Sequence, residues 1–207
     1  MSYRDFSYLG ALHSFALRET TRDLFPGLTP LPPSDWLRES LQRMVKYGRP
    51  VPSEKAKSEF IVAPILAEVG NRNEPHLTIH SGIRLDVAPE QGLNGECDFI
   101  LAGGATAYAL QAPILAMVEA KRSEIEQGMG QCVAQMVGAR LYNEKDELPA
   151  EAMYGCVTTG ETWQFLKLEG NTLIIDNQRY YLDTIDKLLA VLQNIVGQIA
   201  NQEGQTP

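Results

Sequence analysis

The sequence predicts an α/β protein in which one mixed sheet is flanked by helices. Three observations lead there. Helical patterns come first, then three strand patterns, a helix, more strands and a last helix, an order that suits a mixed sheet better than a doubly wound parallel one. The segment ILAMVEAK is almost continuously apolar, as a central strand buried on both faces must be. At 207 residues the chain is long enough for one real core and short for two.

Taken in order, the stretch up to about Gly27 mixes aromatic and aliphatic residues and predicts a helix ending at Phe25-Pro26-Gly27. A proline-rich linker, Thr29 to Pro33, follows. Ser34 and Asp35 are helix-start residues for SDWLRESLQRMVKYG, with Gly48 at its end. A second helix, EKAKSEFIVAPILAEVG, repeats Phe60, Ile61, Ile65, Leu66 and Val69 at helical spacing, and Pro64 predicts a kink in it.

Strand signals come next. HLTIHSGIRLDV alternates apolar and polar residues, with a phase slip at Ser81-Gly82 that predicts a bulge or bend. GECDFILAGG follows a Gly-Leu-Asn-Gly turn, and ILAMVEAK follows that. A long helix, about Glu124 to Tyr142, carries Ile125, Met129, Cys132, Val133, Met136, Val137 and Leu141 as an apolar stripe. Four short strands are then expected, MYGCVTT, ETWQFLKLEG, NTLIID and RYYL, separated by turn residues. A helix from about Thr184 to Asn201 closes the chain. This organisation reads as a single domain over 1–207: a helical N-terminal extension (1–50), a core (52–182) and a C-terminal helix (184–201).

Composition narrows the function classes. Hydrophobic residues make up 44% and charged residues 21%, as in ordinary globular proteins. The longest apolar stretch, Ala105 to Val118, is broken by Tyr108, Gln111 and Pro113 and is too short to span a bilayer. Cys97, Cys132 and Cys156 are scattered and odd in number, and His13, His76 and His80 lack partners at ligand spacing. Neither a disulfide framework nor a zinc site is expected. The start, MSYRDFSYLG, has no basic-then-apolar leader, so a cytoplasmic protein without membrane contact is expected.

The formal charge of -8 argues against a protein that coats nucleic acid indiscriminately. The charge is uneven, however. Between Leu37 and Lys57, Arg38, Arg43, Lys46, Arg49, Lys55 and Lys57 face only Glu39 and Glu54. That segment is either a phosphate-facing patch or a solvated helix face.

Two features break the apolar logic of their strands: Asp98 in GECDFILA, and Glu119 with Lys121 in ILAMVEAK. Alternation puts Glu119 and Lys121 on one face. Buried charges are costly unless paired or bound, and close carboxylates repel unless a cation compensates. If neighbouring strands bring Asp98 to the same end, a hard divalent cation with oxygen ligands suits the cluster, and Lys121 can orient a water or offset charge. Alone, each residue is as readily a surface or ion-pair detail; the combination is what carries weight.

GECDFILA, ILAMVEAK and the helix GMGQCVAQM together resemble the PD-(D/E)XK nuclease superfamily. The likeness is closest to the N-terminal nuclease region of type I restriction enzyme motor subunits and to small stand-alone relatives. It spans roughly Lys55 to Leu168, and it departs from the motif in having Cys97 rather than proline before Asp98. The resemblance implies a restriction-endonuclease-like fold and a Mg²⁺- or Mn²⁺-dependent DNA endonuclease that hydrolyses phosphodiester bonds. It implies Asp98 and Glu119 as metal ligands, Lys121 as the lysine, and Glu59 as the helix glutamate that joins them. Gln131 and Gln135, one turn apart, match the glutamine many relatives place beside the site. Glu59 has a plainer reading as the ion-pair partner of Lys55, four residues earlier. Trp163 reads as packing. The resemblance implies DNA as the partner and leaves room for a protein partner or a homodimer, since a lone domain needs a second copy to cut both strands. The rival expectation is an inactive nuclease-fold scaffold that binds nucleic acid or protein.

Overall fold

The protein is described from a computed structural model, over residues 1–49, 53–104, 109–148 and 150–203, with side chains to residue 197. The expected boundary at 50–52 lies outside the described residues. Among the described residues seven strands form one sheet: β1 (Arg18–Arg22), β2 (Leu77–Arg84), β3 (Glu96–Gly103), β4 (Ile114–Ala120), β5 (Met153–Thr158), β6 (Thr162–Glu169) and β7 (Thr172–Tyr181). Their order across the sheet is β1-β7-β6-β5-β4-β3-β2. β4 and β5 are parallel, as are β1 and β7, and every other neighbouring pair is antiparallel. The fold is therefore mixed α/β, with helices on both faces.

Parallel β4 and β5 cannot be joined by a tight turn. The crossover is α5 (Glu126–Lys145), packed on both strands. On the same face lie α1 (Tyr8–Ser14) and the N-terminal segment, around Ile100, Met117, Val133 and Leu166. The opposite face is covered by α2 (Asp35–Gly48), α4 (Ala63–Arg72) and α6 (Ile185–Glu203), around Ile65, Leu101, Trp163 and Leu189. β4 is buried along its whole length, as its apolar run requires.

Ser34 starts α2, its hydroxyl accepting from the Leu37 N–H at 3.1 Å, an N-cap worth about 1 kcal/mol. The second expected helix is continuous but uneven. A first turn, α3 (Glu54–Lys57), widens into a π-helical turn at Ser58–Val62 before α4 begins. Pro64 has no N–H to donate to the preceding turn, so the expected kink is accommodated by that widening.

Three expectations are corrected. The first 27 residues do not form one helix: a 3-10 turn and α1 are followed by β1, an exposed edge strand whose polar residues RETTR carry no apolar alternation. β1 thus ties the N-terminal region into the sheet, while α1 and α2 supply helices within the expected 1–50 stretch. NTLIID and RYYL are one strand, β7. The Asp-Asn pair read as a turn sits opposite an irregularity in the β6–β7 register, where the buried Asp176 accepts from the Leu24 and Gln178 N–H groups and the Tyr180 hydroxyl. Finally, α5 is not a striped surface helix, because it is buried nearly all round.

That burial explains its glycines, which cost about 1 kcal/mol each in a helix interior. A Cβ at Gly130 would stand 2.3 Å from the Phe6 carbonyl oxygen, and one at Gly138 would stand 2.3 Å from the Tyr3 hydroxyl. The N-terminal segment lies directly on α5, and only glycine leaves room for it. Asn143 anchors the other end of α5, its amide accepting from the Ile114 N–H and donating to the Ile114 carbonyl, both at 2.7 Å.

Candidate metal centre

β3 and β4 pair antiparallel, with Phe99 opposite Val118, so Asp98 approaches the C-terminal end of β4. Its Oδ2 accepts from the Ala120 N–H at 2.8 Å. Alternation along β4 turns Glu119 to the α5 side, where it is 1% exposed. The Lys121 N–H donates to the Thr158 carbonyl at 2.7 Å, extending the β4–β5 ladder by one residue. A Cβ at Gly128 would come within 2.9 Å of the Lys121 side chain, so this glycine lets the start of α5 close over the lysine.

The polar contacts form one network. Lys121 Nζ donates to Glu119 Oε1 at 2.6 Å and to Gln131 Oε1 at 3.1 Å. Gln135 Nε2 donates to Glu119 Oε2 at 2.9 Å. Among the described residues the buried Gln135 Oε1 has no partner, an uncommon condition for a buried polar atom. Lys121 Nζ also lies 3.9 Å from Glu54 Oε1.

Electrostatics mark this as a strained cluster. Burial, reinforced by the nearby Asp98 charge, pushes the Glu119 carboxyl up to about 7, against the pull of Lys121 and Gln135. Burial raises the Asp98 carboxyl as well. Desolvation would lower the Lys121 ammonium, but the Glu119 charge and hydrogen bond keep it raised. Two carboxyls that both resist ionisation while facing one another are what a cation would relieve.

Ligand atoms of Glu54, Asp98 and Glu119 all lie within 4.8 Å of one another. The donors are carboxylate oxygens alone, which suits a hard divalent cation rather than zinc or copper. Of the residues expected at the site, Asp98, Glu119, Lys121, Gln131 and Gln135 converge. Glu59 does not belong to the cluster. It faces outward, 3.7 Å from Lys55 with its side chain 54% exposed, and Glu54 supplies the helix carboxylate instead. The reason is the π-helical turn that contains Glu59. On an unbroken α-helix Glu59 would share a face with the buried Val62 and Leu66, but the widened turn breaks that phase. Ser53, whose hydroxyl caps the Ala56 N–H at 3.3 Å, fixes the first turn and hence Glu54. A glutamate right after a capping serine was the available signal.

Of the other residues singled out, Trp163 is fully buried and donates to the Gly160 carbonyl at 3.2 Å, which is packing. All three cysteines are buried and free. Among the described residues no helix is long and apolar enough to cross a membrane. No protein-family model matches the chain, and no curated protein matches it.

Proposed function

We propose that this protein is a metal-dependent phosphodiesterase of the PD-(D/E)XK type, acting on DNA with Mg²⁺ or Mn²⁺. The observation that carries the reading is the convergence of three carboxylates and Lys121 at the joint ends of β3 and β4. The resemblance implied an Asp on one strand, Glu-x-Lys on the next, a glutamate from the helix before and a glutamine from the helix after. Asp98, Glu119 with Lys121, Glu54, and Gln131 with Gln135 have that arrangement.

Glu54, Asp98 and Glu119 would hold the ion. Bound there, it supplies Lewis-acid polarisation of a phosphate oxygen and neutralises developing charge. The chain's own residues do the rest. Asp98 is held by the Ala120 N–H, and Glu119 by Gln135, so both carboxylates are pre-aimed before any ligand arrives. Lys121 is tethered by Gln131 and Glu119 and presents a fixed ammonium beside the carboxylates. There it can orient an attacking water or offset charge on the pentacoordinate transition state.

The test is a cleavage screen of single-stranded, double-stranded and branched DNA with Mg²⁺ or Mn²⁺. Cutting that disappears in Lys121→Ala and in EDTA supports the proposal. A folded protein that cuts none of these substrates with either ion counts against it.

A further inference from the structure

The basic residues between Leu37 and Lys57 take no part in the network just described, yet the end of their segment, which supplies Glu54, abuts it. The C-terminal end of α2 is pressed onto the π-helical turn: a Cβ at Gly48 would stand 2.9 Å from the Ile61 side chain. Ile61 also packs on Gly160, in the turn after β5. Arg49 reaches the same turn, its Nε donating to Glu161 at 2.7 Å. Lys57 Nζ donates to the Arg122 carbonyl at 2.8 Å, immediately after Lys121. The shoulder made by the end of α2 and by α3 therefore borders the three carboxylates.

Its cations divide into two groups. Arg38, Arg43, Arg49 and Lys55 are held by Asp35, Glu39, Glu161 and Glu59. Among the described residues, Lys46, Lys57 and Arg122 have no carboxylate partner. Beside Lys46, Tyr47 is 55% exposed. Its ring lies 5.7 Å from that of Phe60 and 5.0 Å from Lys46 Nζ. In a chain of net charge -8, cations without a carboxylate partner on segments that border an acidic cluster create a local attraction for polyanions that the overall charge opposes.

We infer that this shoulder is a docking surface for single-stranded nucleic acid, with Tyr47 stacking one base while Lys46, Lys57 and Arg122 contact flanking phosphates. An exposed ring flanked by cations is the arrangement that holds unpaired bases without reading sequence. A duplex, whose base faces are already stacked, gives Tyr47 nothing to cover. The inference deepens the nuclease proposal, on which it rests for the direction in which the strand runs: from the shoulder toward Lys121.

The test is fluorescence anisotropy in EDTA, so that binding is read without cleavage. The probes are a fluorescein-labelled oligothymidine of about 16 nucleotides and a duplex of equal length. The strand is expected to bind more tightly than the duplex. Tyr47→Ala should weaken it about tenfold or more, and Tyr47→Phe, which keeps the ring, should not. Replacing Lys46 and Arg122 together by Gln should reduce the salt slope by about 1.4. Failure of the strand to bind, tighter binding of the duplex, or Tyr47→Ala at wild-type affinity overturns the inference. So does capture of an acidic peptide in place of the strand, which would make the shoulder a protein-binding face. The two proposals fail separately. Strand binding as described with no cleavage in Mg²⁺ or Mn²⁺ removes the nuclease reading alone. Cleavage by Tyr47→Ala at the wild-type rate and affinity removes this one alone.

Discussion

Replacing Glu119 by glutamine should stabilise the protein in the absence of metal, although it removes one partner of a buried ion pair. The Glu119 carboxyl is raised from its usual 4.5 to about 7, so it disfavours the folded state once it ionises. With a folded-state value above the unfolded one, the favourable contribution is complete below about pH 4.5 and lost as pH rises through 7. At pH 8 the loss is about 3 kcal/mol (about 2.5 in pKa at 1.36 kcal/mol each). Glutamine has the shape of the protonated acid. Its oxygen can still accept from Lys121, and a flip of the Gln135 amide presents the partnerless Oε1 to the new NH₂. A thermal melt in EDTA should therefore show Glu119→Gln level with the wild type near pH 4 and roughly 6–12 °C above it at pH 8. A variant that melts at or below the wild type at pH 8 would refute this reasoning. It would mean that attraction to Lys121 outweighs burial and the repulsion from Asp98.

Other perturbations address the frame around the site. Burial alone would raise the Glu68 carboxyl, but bonds from Ser34 and Arg72 hold it below the usual carboxylate range. Its contribution is then present at neutral pH and lost as pH falls through its folded value. Glu68→Gln should lower urea stability by about 2 kcal/mol at pH 7, with the gap closing toward pH 3; a gap that does not change with pH counts against the role. Gly130→Ala, which drives a methyl into the Phe6 carbonyl, should cost about 1–3 kcal/mol, read as a lowered melting temperature. Asn143→Leu orphans both backbone groups of Ile114 at about 1–3 kcal/mol for each group, and wild-type stability in denaturant would argue that β4 does not depend on this anchor.

The parts of the fold that bury apolar residues at a regular period could be read from the sequence. ILAMVEAK became β4 because nothing else explains seven residues with so little polarity. Ser34 announced a helix start because a hydroxyl before a helical run has one common use. β1 was not visible, since an edge strand with both faces exposed has no hydrophobic alternation to display. The burial of α5 was hidden because its glycines look like helix breakers until the segment that lies on them is known. At the site, Asp98, Glu119 and Lys121 stood out as charges in apolar strands, whereas Gln131 and Gln135 were reached only through the resemblance. Glu54 did not stand out, because helical periodicity assumes 3.6 residues per turn and a π-helical turn intervenes. The outward pairing of Glu59 with Lys55 was open from their spacing alone.

The carboxylate cluster itself is tested most directly by calorimetric titration of Mn²⁺ into the wild type, Asp98→Ala, Glu54→Gln and Glu59→Gln. One site per chain is expected in the wild type, absent in Asp98→Ala, weakened in Glu54→Gln and unchanged in Glu59→Gln. Binding that survives Asp98→Ala, or that depends on Glu59 rather than Glu54, would contradict the assignment of the centre.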